Sequence, residues 1–211
     1  MASRAQLSQA RSRARRDALL EAALELFAEG GARAITHRAV AARAGLPPAT
    51  TTYYFTSITE LVREALSHHL QTWIDTLRAL TDVEFDTSAD IDAAAAFIET
   101  VYSARSPEIA GTQLAIYLAS ARDPELRELA AQALTALDDL TRSMLTRLRI
   151  ESVDTLASAI TALIAGSAFR RQSGASSDAE EARLLATSLR HLVAAHLLGE
   201  DAVTTALRTG K

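Results

Sequence analysis

An all-α fold follows from three features of the chain. Alanine and leucine dominate, glycine and proline are scarce at eight and four in 211 residues, and no run alternates β-branched with polar residues as a half-buried strand does. Apolar residues recur instead three and four positions apart. The length suffices for a sizeable core in one or two domains, and no Pro-, Gly- or Ser-rich linker marks a break.

The elements can be placed in order. From about Arg11 to Glu29 the residues Leu20, Ala23, Leu24 and Phe27 fall at helical spacing, and Gly30-Gly31 supplies a left-handed stop. Thr36 suits the N-cap of a short helix through Ala44, Gly45 makes a turn, and Pro47-Pro48 opens a third helix, Pro48 to Tyr54. Ser57 and Glu60 read as a capping box for a long fourth helix. Its buried stripe is expected at Leu61, Ala65, Leu66, His69, Leu70, Trp73, Leu77 and Leu80, ending near Thr81. Residues 82–90 read as a loop. Further helices are expected near 91–104, after Ser106-Pro107, and after Asp123-Pro124 through about 149. A nearly uncharged stretch runs from Leu156 to Phe169, a loop spans Gln172 to Ser177, and another helix covers Asp178 to Leu198, ended by Gly199. Asp201 to Arg208 adds a weak turn.

Composition removes several functional classes. With no cysteine, disulfides, thiol catalysis and thiolate metal sites are excluded, and a reducing cytoplasm is compatible. The N-terminus lacks the apolar core of a secretory signal, and no stretch approaches eighteen uncharged apolar residues, so a soluble cytoplasmic protein without a membrane partner is expected. No G-x-S-x-G, G-x-G-x-x-G, P-loop or H-E-x-x-H is present; His68 and His69 are helical neighbours facing different ways, and His191 and His196 are five apart. No catalytic residue, metal or cofactor is expected, and the chain is not read as an enzyme.

The net charge of −4 argues, taken alone, against a polyanionic partner. The average hides an asymmetry: residues 1–63 hold nine arginines against five carboxylates, +4, whereas residues 64–211 come to −8. Arg4, Arg11, Arg13, Arg15 and Arg16 are followed by the first acid only at Asp17. A basic head on an acidic body fits a protein that offers one end to phosphates, because cations are rewarded only where they touch the backbone; a solvated basic tail is the alternative.

The informative segment is Ile35 to Phe55. Small Ala41 lets two short helices approach, Gly45 makes the tight turn, and Val40, Ala44 and Leu46 are expected to bury between the first and third helices, which is helix-turn-helix geometry. The third helix then lays its N-terminal face in the major groove, where Thr50, Thr51, Thr52, Tyr53 and Tyr54 offer five hydroxyls. Phe55 is expected in the core. Tyr53 and Tyr54 point about 100° apart and cannot both bury in so short a helix. Arg38, with Thr36 and His37 at the start of the second helix, can grip a phosphate or reach a guanine edge. Arg43 is equally a contact or a surface ion-pair partner.

Residues 16–66 resemble the DNA-binding domain of the TetR (tetracycline-repressor) family: a first helix ending Phe-Ala-Glu-Gly-Gly, then Thr36, the Val-Ala-Ala-Arg-Ala-Gly turn, and Tyr-Tyr-Phe followed by Ser57 and Leu61. The resemblance implies an N-terminal arm and three-helix helix-turn-helix domain, 1–57, and a helical ligand-sensing and dimerisation bundle, 58–211. It implies that Thr36, His37, Thr50, Tyr53 and Tyr54 touch phosphates while Arg38, Pro48, Ala49 and Thr52 face bases. Two departures matter: the family usually has Leu-Tyr where this chain has Thr51-Thr52, and a lysine where it has Ile58. The basic arm at Arg11 to Arg16 can compensate by reaching phosphates or the minor groove.

One short helix gives little affinity, so such proteins pair two of them about one DNA turn apart on a palindromic double-stranded operator. Leu156, Ile160, Leu163, Ile164, Leu185, Leu189, Leu192 and Val193 are the candidates for a four-helix homodimer contact, or else they fill the core of one chain. The middle helices should hold a small-molecule effector among His69, Trp73, Phe97, Tyr102, Gln113, Tyr117 and Phe169, although each is also an ordinary core residue. The function expected is a sequence-specific transcriptional regulator, a repressor released by its effector. The alternative is an all-α ligand-binding or interaction protein whose helix-turn-helix no longer binds DNA.

Overall fold

The computed structural model describes residues 4–82 and 107–209. The helix expected near 91–104, with Phe97 and Tyr102, and all but the first residue of the loop at 82–90 lie outside the described residues. Among those described there is no strand. The helices are α1 (Arg4–Gly30), α2 (His37–Arg43), α3 (Pro48–Tyr54), α4 (Ile58–Thr81), α5 (Pro107–Ser120), α6 (Pro124–Arg147), α7 (Asp154–Gln172), α8 (Asp178–Leu198) and α9 (Glu200–Thr209). A single 3₁₀ turn, Gly31–Ala34, links α1 to α2.

Two compact units divide the chain: residues 1–73 with 115–130, and residues 74–114 with 131–211. The first unit buries Leu19, Leu20, Ala23 and Phe27 of α1 together with Ile35, Val40, Ala41 and Phe55. Helix α1 starts seven residues before the expected Arg11, because Ala, Gln and Arg are strong helix formers and no Gly or Pro interrupts them. Its first four turns project beyond this core, mostly exposed.

The start of α4 departs from the expected box in one bond. Glu60 N–H donates to Ser57 Oγ at 3.1 Å, but the Glu60 carboxylate reaches one residue further back, accepting from the Thr56 N–H at 2.7 Å and its hydroxyl at 2.5 Å. These bonds hold Glu60 below the usual carboxylate range. The stripe of α4 also differs: Ile74 is fully buried between Leu70 and Leu77, whereas Trp73 and His69 are half-buried and Leu80 is exposed. A residue one position from the stripe is turned about 100° from it, so Ile74 displaces Trp73. Near α5, Asp123 Oδ1 accepts from the Glu125 and Leu126 amides, the capping expected there, while its Oδ2 accepts from Arg63 at 2.9 Å.

In the second unit α7 and α8 pack along their lengths. Leu156, Ala157 and Ile160 of α7 and Ala182, Leu185, Leu189 and Val193 of α8 form one cluster with Leu145, Ile150 and Val153. Helix α6 ends without glycine: Arg149 takes φ 59°, and the amides of Arg149 and Ile150 donate to Thr146 and Leu145. This is a Schellman ending in which the buried Ile150 supplies the customary apolar contact. Beyond Gly199 the expected weak turn is a ten-residue amphipathic helix, α9.

Between α7 and α8 the carboxylate of Glu181, 2 % exposed, accepts a bidentate pair from Arg170 at 2.8 and 2.9 Å. The Arg170 bonds hold it below the usual range against the opposing effect of burial. A carboxylate whose folded pKa is depressed adds stability above its unfolded value, about 4.3, and loses it as pH falls through the lower folded value. Glu181→Gln is therefore expected to flatten the acid limb of a plot of unfolding midpoint against pH below about pH 5. An acid limb as steep as wild type would show that this pair does not titrate with folding.

Candidate nucleic-acid interface

The elbow between α2 and α3 is fixed by backbone bonds. Thr36, extended at φ −133° and ψ 153°, accepts from the Ala39 amide at 3.1 Å and caps α2. At the other end Gly45 takes φ 65°; its amide donates to Ala42 and that of Leu46 to Ala41 at 2.9 Å. Only a residue without Cβ adopts this left-handed turn at little cost, and it redirects the chain within two residues. Val40 and Ala41 are fully buried, while Ala44 and Leu46 are half-buried rather than enclosed as expected. Pro47 is extended and Pro48 occupies the first position of α3, where no N–H is needed.

The hydroxyls of α3 do not all face outward. Thr51 is fully buried and its hydroxyl donates to Pro48 O at 2.9 Å, so it is a core residue and the expected row of five hydroxyls is four. Position 51 lies on the same inward side as Phe55, one turn later, and Phe55 is 1 % exposed. Thr52 is exposed; its hydroxyl donates to Ala49 O at 3.1 Å, which leaves its lone pairs and methyl for a partner. Tyr53 stands out at 80 % exposed. Tyr54 is half-buried, its ring edge-on to Tyr53 at 4.9 Å, and its hydroxyl hydrogen-bonds the Ser12 hydroxyl at 2.9 Å. Pro48 and Ala49 are exposed and Thr50 is half-buried.

The basic side chains divide into two groups. Arg43 bonds Glu29 through both terminal nitrogens at 2.8 Å and Glu25 at 3.1 Å, so it is the ion-pair partner of the α1 C-terminus, and it holds Glu29 below the usual carboxylate range. Arg16 pairs with Glu64 and lies over the Phe55 ring at 5.5 Å from its centroid. An arginine so engaged braces α1 against α4 and the core. This corrects its expected place among outward DNA contacts. Arg38, by contrast, is exposed at the second position of α2 and has no ion-pair partner among the described residues. His37 beside it is half-buried, with Nδ1 enclosed and without a hydrogen-bond partner.

One feature of this face escaped the sequence reading. The N-terminal turns of α1 run beside α3 and leave an open cleft of about 950 Å³, lined by residues that include Arg11, Arg15, Thr50 and Tyr53. The signal was available in the uninterrupted helix formers before Arg11.

The chain matches the family model "Bacterial regulatory proteins, tetR family" over residues 19–65 and the model "Tetracyclin repressor-like, C-terminal domain" over residues 86–197, which is more than half of its length. The protein belongs to the TetR family. Its TetR fold is shared with a member of the family from Streptomyces coelicolor A3, SCO1917, at 26% identity and a TM-score of 0.58, covering 83% of this chain and 97% of that one. The multidrug binding protein EbrR, solved with proflavin, aligns at 24% identity and TM-score 0.59 over 84% of this chain and 99% of its own. A transcriptional regulator of Rhodococcus sp. Rha1 aligns at 22% and 0.67 over 84% and 95%. The last two likenesses are of fold. A search among curated proteins gives no match.

The remaining expected positions are distributed over the other TetR helices. His69 and Trp73 on α4 and Gln113 and Tyr117 on α5 are half-buried. Phe169 is 64 % exposed, because it lies two residues from both Ser167 and Arg171, the buried side of α7, and so about 200° around the helix. It lies on the exposed side of α7. Of the eight candidate dimer residues, Leu156, Ile160, Leu185, Leu189 and Val193 are buried in the α7–α8 cluster of the single chain, and Leu163, Ile164 and Leu192 are partly buried against it. Among the described residues no group of His, Asp or Glu is placed to hold a metal, and no helix is long and apolar enough to cross a membrane.

Proposed function

We propose that this TetR-family protein is a transcriptional repressor that binds a palindromic operator as a homodimer and leaves it when a small molecule binds. The observation that carries the reading is a contrast of charges: Arg43 of α2 and Arg16 of α1 pair with carboxylates, whereas Arg38 of α2 and Thr52 and Tyr53 of α3 are turned to solvent. Arg38 and Thr52, with Pro48 and Ala49, address base edges, and Thr36, His37, Thr50, Tyr53 and Tyr54 address phosphates.

The homodimer forms through the outer faces of α7 and α8, where Leu163, Ile164 and Leu192 keep part of their surface and Leu184, Leu197 and Leu198 are exposed. Apolar surface left on paired helices is what an isologous interface requires. The effector contacts the middle helices, where His69, Trp73 and Tyr117 are half-buried. It acts by favouring a spacing of the two elbows that does not fit DNA. A coupling of about 1–3 kcal/mol weakens operator binding roughly 5- to 150-fold. That EbrR has been solved with proflavin and with ethidium supports a fold able to accept organic molecules.

The test is selection from random duplexes by the purified protein, followed by mass measurement of the complex. The expected product is an inverted repeat with half-sites about one turn, roughly 34 Å, or more apart, bound by an even number of chains. Recovery of no preferred sequence, or a single chain on a single half-site, overturns the proposal.

A further inference from the structure

Resting on the DNA-binding reading above, we infer that the N-terminal turns of α1 and the outer side of α3 form a second phosphate-binding element: a cleft that seats the sugar-phosphate strand of duplex DNA. Helix α1 carries Ser8, Arg11, Ser12 and Arg15 on one face, three and four residues apart, and that face lines the cleft. Thr50 and Tyr53 line it from α3. The 2.9 Å hydrogen bond between Ser12 and Tyr54 ties the two sides together, so the arm stands as a helical wall beside α3.

The chemistry of the lining selects the ligand. Two guanidiniums and five hydroxyls face the cleft, and no carboxylate does. Neither Arg11 nor Arg15 has an ion-pair partner among the described residues, unlike Arg16 one position further on. Pockets for small organic ligands are enclosed and mostly apolar. This one is open and, apart from Leu7 and Ala49, its lining is hydroxyl and cation, which suits a solvated polyanion that passes through it. The two arginines lie four residues, about 6 Å, apart along α1, so they address a length of strand and not one isolated phosphate. Tyr53, 80 % exposed, belongs both to this cleft and to the elbow face, which places the strand next to the groove that α3 reads.

The experiment measures binding to a mixed-sequence duplex of about three helical turns, roughly 30 base pairs, over a range of salt, for wild type, the Arg11→Ala/Arg15→Ala double variant and Arg33→Ala. Arg33 is an exposed charge in the turn after α1 and lines no part of the cleft. Each phosphate neutralised contributes about −0.9 to the slope of log affinity against log salt. The double variant is therefore expected to lose about 1.8 from that slope and roughly ten- to hundredfold in affinity near 0.1 M salt, while Arg33→Ala loses less than half of one unit.

A loss below about 0.9 in the double variant overturns the cleft, and so does a loss in Arg33→Ala matching half of the double variant's, which would reveal diffuse charge. Unfolding midpoints of all three proteins check that the fold is intact. The operator reading fails separately, if wild type binds its selected duplex no better than the mixed one; failure of wild type to bind any duplex overturns both.

Discussion

Alanine at both Arg38 and Tyr53 is expected to lower operator affinity by about two orders of magnitude while leaving thermal unfolding unchanged. Both side chains are exposed, and neither forms an ion pair within the described residues, so their removal leaves no buried group unsatisfied. Surface changes of this kind ordinarily move stability by no more than about 0.5 kcal/mol. Their effect on binding is large for a separate reason. A guanidinium on a base edge is worth about 1–3 kcal/mol of discrimination, and a tyrosine on a phosphate adds a net hydrogen bond of about 1 kcal/mol. Together they reach roughly 2–4 kcal/mol, or about 30- to 700-fold.

Equilibrium binding to the selected operator, beside a thermal melt, reads both numbers. An affinity within threefold of wild type would show that the elbow face touches no DNA, and would favour a ligand-binding protein that keeps the helix-turn-helix only as scaffold. Loss of affinity with a matching fall in the melt would instead place these side chains in the fold.

How far the sequence carries depends on whether a residue's role is set locally. The bounds of α3, Pro48 to Tyr54, are legible because a proline at the first helical position and a glycine turn before it are local signals. The burial of Phe55 and the capping by Thr36 follow in the same way. The inward Thr51 is less legible: a threonine one turn before a core aromatic looks like any other surface hydroxyl until its donor is seen to close on Pro48 O. Periodicity fails differently in α7 and α8. It identifies an apolar stripe but not its partner, and Leu156, Ile160, Leu185, Leu189 and Val193 prove to face the neighbouring helix of their own chain. The arm illustrates a third limit. Five arginines read as a charge cluster with helix only from about Arg11, whereas α1 is regular helix from Arg4, and the face presented to α3 includes Ser8 from that added length.

Phe55→Ala has the largest expected effect on stability. The ring is 1 % exposed, and its amide donates to Thr51 O at 2.9 Å where α3 ends, so the side chain anchors the recognition helix at its C-terminus. Arg16 lies over one face at 5.5 Å and the Tyr54 ring is tilted against it at 6.5 Å. Truncation removes the buried area and leaves a cavity, which costs about 3–5 kcal/mol for a phenylalanine. The Arg16 contact adds about 0.5–1 kcal/mol. Against a typical total of about 5–15 kcal/mol this is a large share, and the unfolding midpoint in denaturant should fall accordingly. Operator affinity falls with it, because Tyr53 and Tyr54 immediately precede the lost anchor. Phe55→Leu, which keeps most of the volume, should cost under about 1.5 kcal/mol and retain binding. The pair of variants separates packing from contact: if Phe55→Ala bound operator poorly at unchanged stability, the ring would be acting at the DNA surface, which its burial does not allow.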